Sequence, residues 1–188
     1  MEIINKIKGF TDIFPPTSET YTRLEQAARQ IFSRYGFREL RLPLLEKTEL
    51  FARSIGDETD IVQKEMYSFQ DRKGRSLTLR PEATAGVARA YIENKIYAGQ
   101  EVSKLYTLGP MFRYERPQKG RQRQFHQINA EILGTAAPEA DAELLLMLTS
   151  FLQHIGLKDL VLDLNSLGCS GCRPVFIEAV EAFLRSEE

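Results

Sequence analysis

The chain has 188 residues, with 25 Lys plus Arg against 26 Asp plus Glu, a formal net charge of −1, 43% hydrophobic residues and 27% charged ones. These are the proportions of an ordinary globular domain, so intrinsic disorder is excluded, and a chain of this size buries roughly 70% of its unfolded surface without needing disulfide staples. Near-zero charge also excludes a simple polycationic nucleic-acid binder, while leaving room for a local basic site. No window approaches the ~18 uninterrupted apolar residues of a membrane span, and the first residues lack the apolar stretch of a secretory signal. With two cysteines in all, a reduced, cytoplasmic setting is expected.

No repeat, linker or low-complexity tract interrupts the chain, which reads as one continuous fold. After Pro15-Pro16, Thr17 is placed to cap a helix whose apolar positions Tyr21, Leu24, Ala28, Ile31 and Tyr35 recur at helical spacing up to Gly36. A short strand is expected over Phe37–Leu42, closed by Pro43, and then a helix through Leu50 and Phe51. Met66–Phe69 and Ser76–Arg80 flank Asp71-Arg72-Lys73-Gly74, the composition of a hairpin loop. Ala83–Tyr91 reads as a helix. Lys104–Glu115 and Gln124–Leu133 read as two long antiparallel strands around a polar loop. Pro138–His154 reads as a helix whose run Leu144–Leu148 is largely buried, and a strand over Leu160–Leu164 and a helix over Pro174–Leu184 follow. Hairpins dominate and strict strand–helix alternation is missing, so an α+β fold on a mainly antiparallel sheet is predicted.

Between Arg113 and His126 the chain reads RYERPQKGRQRQFH, with Arg113, Arg116, Lys119, Arg121 and Arg123 set against the single acid Glu115. Such a run suits a polyanion, although many charge runs are no more than solvated loop tips. The flanking strands carry more information. Alternate side chains of a strand share a face, which puts Arg113 and Glu115 with Met111, and Phe125, Gln127, Asn129 and Glu131 together on the return strand. A cation, amides, carboxylates and an aromatic ring make a floor for a polar, partly aromatic ligand: arginine grips phosphate or carboxylate by a fork, and carboxylates hold an ammonium or a ring N–H. At the corner Arg80-Pro81-Glu82-Ala83-Thr84, the residue types alone suggest an acid capping the following helix rather than a ligand contact.

The stretch FRYERPQKGRQRQFHQ resembles motif 2 of the class II aminoacyl-tRNA synthetases, and KGFTDIFP, YGFRELRLPLLE, LTLRPEATAG and LNSLG resemble the histidyl-tRNA synthetases in particular, in the family's order along essentially the whole chain. The resemblance implies a class II catalytic domain with a mainly antiparallel sheet flanked by helices, using ATP and Mg²⁺ to activate histidine and pass it to tRNA(His). It implies that Arg113 is the catalytic residue, contacting the ATP α-phosphate and the histidine carboxylate. Glu115 would hold the adenine amino group, Phe125 would stack on the adenine, and Arg121 would approach the triphosphate or the tRNA. Glu82, Thr84 and Gln127 would hold the histidine ammonium, and Glu131 its imidazole. The helix Tyr21–Tyr35 and the strand ending at Pro43 resemble motif 1, the homodimer interface of this class.

The family's RGLxYY stretch, motif 3 and anticodon-binding domain are not found in residues 1–188, so the chain reads as the N-terminal part of a catalytic domain, poorly active alone. Lys8 stands where relatives commonly have arginine. Cys169-Ser170-Gly171-Cys172 offers two thiolates where structural zinc usually takes four ligands, and no metal site is assigned. His126 reads as a packed core residue and His154 as a favourable cation at a helix end. A second reading is a non-catalytic synthetase-like regulatory subunit of ATP phosphoribosyltransferase. It has no need of the adenine and phosphate residues Arg113, Glu115, Arg121 and Phe125.

Overall fold

A computed structural model describes residues 3–55, 65–165, 169 and 171–186. In chain order the elements are α1 (Thr17–Arg34), β1 (Arg38–Glu39), β2 (Leu45–Lys47), α2 (Thr48–Ile55), β3 (Tyr67–Gln70), β4 (Ser76–Leu79), α3 (Thr84–Glu93), a 3₁₀ turn (Ile96–Ala98), β5 (Ser103–Phe112), β6 (Gln124–Leu133), α4 (Pro138–His154) and α5 (Cys172–Ser186). They form two compact units, residues 1–157 and 158–188.

In the first unit, one sheet has the order β1-β5-β6 and the other β2-β4-β3. All pairs are antiparallel except β1 with β5, so the α+β, mainly antiparallel expectation holds. The long hairpin β5-β6 is its backbone. Its even-numbered face packs on α1 and α4, where Ala28, Ile31, Phe32, Phe37, Tyr106, Met147 and Phe151 form the core. Phe32 meets Tyr106 and Phe151 edge-on at 5.3 and 5.9 Å between ring centres, the geometry that aromatic quadrupoles favour. Tyr35, which caps the end of α1, shares a 2.8 Å hydrogen bond with Ser150 of α4.

Several expectations are corrected. Thr17 is the first helical residue of α1 and Pro16 holds the cap position. The strand expected over Phe37–Leu42 shrinks to Arg38–Glu39, because β5 meets it for only two residues, plus one bond from Leu40 N to Tyr106 O at 2.7 Å. The Leu144–Leu148 run is not largely buried: α4 buries Met147 and Phe151, and Leu146 is 62% exposed. Five consecutive helical residues sweep past a full turn, so they cannot all face one core.

In the second unit, residues 160–164 form no strand. No ladder partner meets that segment among the described residues, and Val161 is 85% exposed. The helix expected at Pro174–Leu184 is present as α5. Of the LNSLG stretch, Ser166–Gly168 lie outside the described residues.

Candidate active site

The other face of β5-β6 is built from odd-numbered residues. The register sets Leu105 opposite Glu131, Thr107 opposite Asn129, Gly109 opposite Gln127 and Met111 opposite Phe125. Opposed residues of an antiparallel pair project to the same side, so Phe125, Gln127, Asn129 and Glu131 line one surface, as the alternation predicts. From Phe125 to Glu131 this surface runs about 20 Å at strand rise. That is long enough for a nucleotide and an amino acid end to end.

The ladder continues one step past β5, where Arg113 N donates to Arg123 O at 2.9 Å. Then the chain departs: Tyr114 N donates to Glu65 O at 2.7 Å. The strand expected to reach Glu115 therefore ends at Phe112, and Glu115 comes to the site through the loop rather than by strand alternation. Arg113 donates Nε to the carbonyl of Pro81 at 2.9 Å, and its guanidinium carbon lies 5.2 Å from the centre of the Phe125 ring. Glu115 lies between two cations, with Oε1 3.9 Å from Arg113 Nη1 and Oε2 3.5 Å from Arg121 Nη1. Arg113, Glu115, Gly120, Arg121, Gln122 and Phe125 enclose a cavity of about 290 Å³. A larger hollow of about 520 Å³ is lined from β2, α2 and α3. Two of the three cations lining it are already paired, Arg89 with Glu46 and Glu93 at 2.6 Å each and Lys47 with Glu49 at 3.5 Å, which makes it a weaker candidate for anion chemistry.

At the far end of the surface, Glu131 Oε1 accepts from Thr84 Oγ1 at 2.7 Å and from Asn129 Nδ2 at 3.2 Å. Glu82 sits beside Thr84 as a helix cap: its Oε2 accepts from Thr84 N at 2.5 Å and its Oε1 from Ala85 N at 2.9 Å. The capping role suggested by the residue types is thus present, and it fixes the corner that carries Thr84. Gln127 is half-buried, opposite Gly109.

Sequence reasoning misses what supports these groups. Arg80 is only 3% exposed and donates to Pro110 O at 3.0 Å and Leu42 O at 3.2 Å. Burial pulls its pKa down, and the Glu46 carboxylate works against that. A Cβ on Gly109 would lie 2.7 Å from Arg80 Nη2, and Gly109 has φ +146°, so glycine is required there. No local pattern marks a buried arginine. Arg123 stacks on Tyr114 at 4.2 Å and donates to Glu115 O at 3.1 Å, bracing the loop root. Asn129 has a readable signal in its two-residue spacing from Glu131.

His126 is exposed rather than packed in the core. It lies two residues into β6, where the even face meets the start of α1, and Tyr21 covers it edge-on at 5.0 Å. His154 is the last residue of α4, as expected. In the second unit, Cys169 and Cys172 are both exposed, and Cys169 N lies 3.0 Å from Cys172 Sγ. The Cys169 thiol is held below its ordinary pKa, first by the backbone N–H of Cys172, then by that residue's side chain and the N–H of Gly171. Among the described residues no three His, Cys, Asp or Glu side chains cluster as metal ligands, and no helix is long and apolar enough to cross a membrane.

Comparison with known proteins bears on this geometry. The family profile described as histidyl-tRNA synthetase matches residues 9–171. A histidine–tRNA ligase of Maridesulfovibrio salexigens is 66% identical over 186 residues, which is 99% of this chain and 45% of that protein. Apo histidyl-tRNA synthetase of S. aureus superposes with a TM-score of 0.70 at 39% identity, over 83% of this chain and 36% of that one. A Bacillus halodurans structure described as an ATP phosphoribosyltransferase regulatory subunit/histidyl-tRNA synthetase gives a TM-score of 0.71 at 21% identity, over 84% of this chain and 39% of that one, and shows the shared fold alone. The chain thus spans a little under half the length of the curated relative it matches. With the family's profile running from Gly9 through motif 2 to Gly171, and two-thirds identity to a ligase along nearly all of its length, the chain belongs to the histidyl-tRNA synthetase family.

Proposed function

We propose that this chain is the motif 1 and motif 2 part of a histidine–tRNA ligase catalytic domain, binding ATP and histidine side by side on the odd face of β5-β6. The observation that carries the reading is the pairing on one surface of an arginine cavity at one end with a polar-braced carboxylate at the other. In this reading the adenine stacks on Phe125, and Glu115 accepts from its amino group. Arg113 has Nε committed to Pro81 O, which leaves its two terminal nitrogens to bridge the ATP α-phosphate and the histidine carboxylate. Arg121, 66% exposed, reaches toward the triphosphate or the tRNA end. Thr84 spends its proton on Glu131, so its oxygen lone pairs remain to accept from the histidine ammonium, alongside Gln127 and the capping acid Glu82. Glu131 receives the imidazole N–H.

No protein nucleophile is needed. A histidine carboxylate oxygen attacks the α-phosphorus, pyrophosphate leaves, and the chain contributes alignment and neutralisation of charge spread over the phosphoryl oxygens. Glu115, the one acid lining the cavity, is taken by the adenine in this reading, so Mg²⁺ would come with the triphosphate and take its ligands from phosphates and water. When bound, it would offset the charge of the departing pyrophosphate. Transfer of the acyl group to tRNA(His), pairing of two copies through the α1 region, and a cytoplasmic setting belong to the same proposal.

The test is histidine-dependent exchange of labelled pyrophosphate into ATP, measured for this chain and for the complete gene product. Exchange by the complete product, abolished by Arg113→Ala, supports the reading. No exchange from either, with histidine-dependent stimulation of an ATP phosphoribosyltransferase, replaces it with the regulatory one.

A further inference from the structure

Glu131 is the group that would read the imidazole, yet a carboxylate on a strand is free to spin about its terminal torsion, whose energy profile is broad. A specificity carboxylate must present one oxygen in one direction. Two side chains restrict it here, and both act on the same oxygen. Thr84 Oγ1 approaches Oε1 from the start of α3 at 2.7 Å, and Asn129 Nδ2 approaches it from within β6 at 3.2 Å. Among the described residues Oε2 accepts no hydrogen bond. The carboxylate is therefore gripped by Oε1 from two elements and offers Oε2 alone.

We infer that Asn129 is a positioning residue for side-chain selection, clamping Oε1 of Glu131 so that Oε2 is the single acceptor turned to the ligand's ring N–H. The inference rests on the histidine-binding reading above and adds to it a residue that need not touch the substrate. Thr84 cannot do this alone, because one hydrogen bond leaves the carboxylate able to pivot about it. Two donors converging from different directions fix its plane. Asn129 suits this role by place and by chemistry. As the i−2 neighbour on the same strand face, it reaches Glu131 without crossing the sheet. Its amide can donate without competing for the ligand proton, whereas a carboxylate there would repel Glu131. Leu105 lies directly opposite Glu131, so the residue paired with it across the ladder supplies no donor of its own.

A group that orients the reader, rather than binding the ligand, should alter discrimination more than general binding. A site built around a ring N–H rejects analogues lacking it because its own acceptor is then left unpaired. The experiment measures binding of histidine, of histidine methylated at either ring nitrogen, and separately of ATP to the complete gene product. Wild type is expected to prefer histidine over at least one methylated form by about tenfold or more. Asn129→Ala should shrink that preference to about threefold or less, while ATP affinity changes by less than about twofold. Asn129→Asp keeps the volume but places an acceptor against Glu131, and should lose the preference at least as fully. It also carries the test if the alanine variant does not fold.

If both variants keep the wild-type preference, or if ATP and histidine binding fall together, Asn129 is structural and the inference is overturned while the histidine-binding reading stands. If wild type binds histidine no better than either methylated form, the reading of Glu131 fails and the inference fails with it.

Discussion

Arg113 Nε lies 2.9 Å from the carbonyl oxygen of Pro81, thirty-two residues earlier in the chain. One edge of the guanidinium is thereby spent on the protein and the other is aimed, with Phe125 beneath it at 5.2 Å. Lysine keeps the charge but cannot hold a backbone carbonyl and bridge two ligand oxygens at once. Arg113→Lys in the complete gene product should therefore cut histidine-dependent pyrophosphate exchange by about 10²-fold, the usual loss for one preorganised electrostatic donor. Near-wild-type exchange by the lysine variant would show that charge alone suffices.

Gly109→Ala tests the close approach of β5 to the buried Arg80. The new Cβ would fall 2.7 Å from Arg80 Nη2, and moving that side chain strands two carbonyls, Pro110 O and Leu42 O, that now share its donors. Urea denaturation should report a loss of about 2–4 kcal/mol, combining an unsatisfied buried polar group with positive-φ strain. A loss below about 1 kcal/mol would show that Arg80 shifts at little cost.

Thr107 is 1% exposed, and its hydroxyl has no partner among the described residues. Valine has nearly the same shape and no polar atom to desolvate. Thr107→Val should leave the fold unchanged and raise stability by about 1 kcal/mol, again read by urea denaturation. Destabilisation of that size would mean the hydroxyl is satisfied in solution.

Cys169 and Cys172 should differ in reactivity. The hydrogen bonds that lower the Cys169 pKa favour its thiolate, the nucleophilic form. Cys169 should therefore ionise at a lower pH than an ordinary cysteine thiol. Limiting iodoacetamide treatment followed by peptide mass spectrometry is expected to find carboxamidomethyl on Cys169 ahead of Cys172, and equal labelling at all pH values would contradict that order.

How much of the molecule is legible in its sequence depends on the range of the interaction. The β5-β6 hairpin and the shared face of Phe125, Gln127, Asn129 and Glu131 follow from a two-residue period, which needs only local sequence. Glu82 declares itself as a cap because capping is fixed by residues one to three places away. Strand alternation puts Glu115 with Arg113 and Phe125, where it is found, but by the wrong route, because the end of β5 is decided by Glu65, about fifty residues upstream, which takes Tyr114 N. The buried arginine at position 80 and the exposure of His126 are likewise set by packing partners far along the chain. The apolar run in α4 misleads, since composition reports hydrophobicity but not which sector of a helix meets the core.

The backbone N–H groups of Arg123 and Gln124 both point at a single oxygen, that of Gly9, at 2.8 and 3.2 Å, and a side chain at Gly9 would press into Arg123 Cγ at 2.7 Å. The N-terminal strip is therefore moored to the hinge of the basic loop. Any molecule that tugs the loop tip through its cations also loads Lys8 and Gly9, and removing them would loosen a loop more than a hundred positions away in the chain.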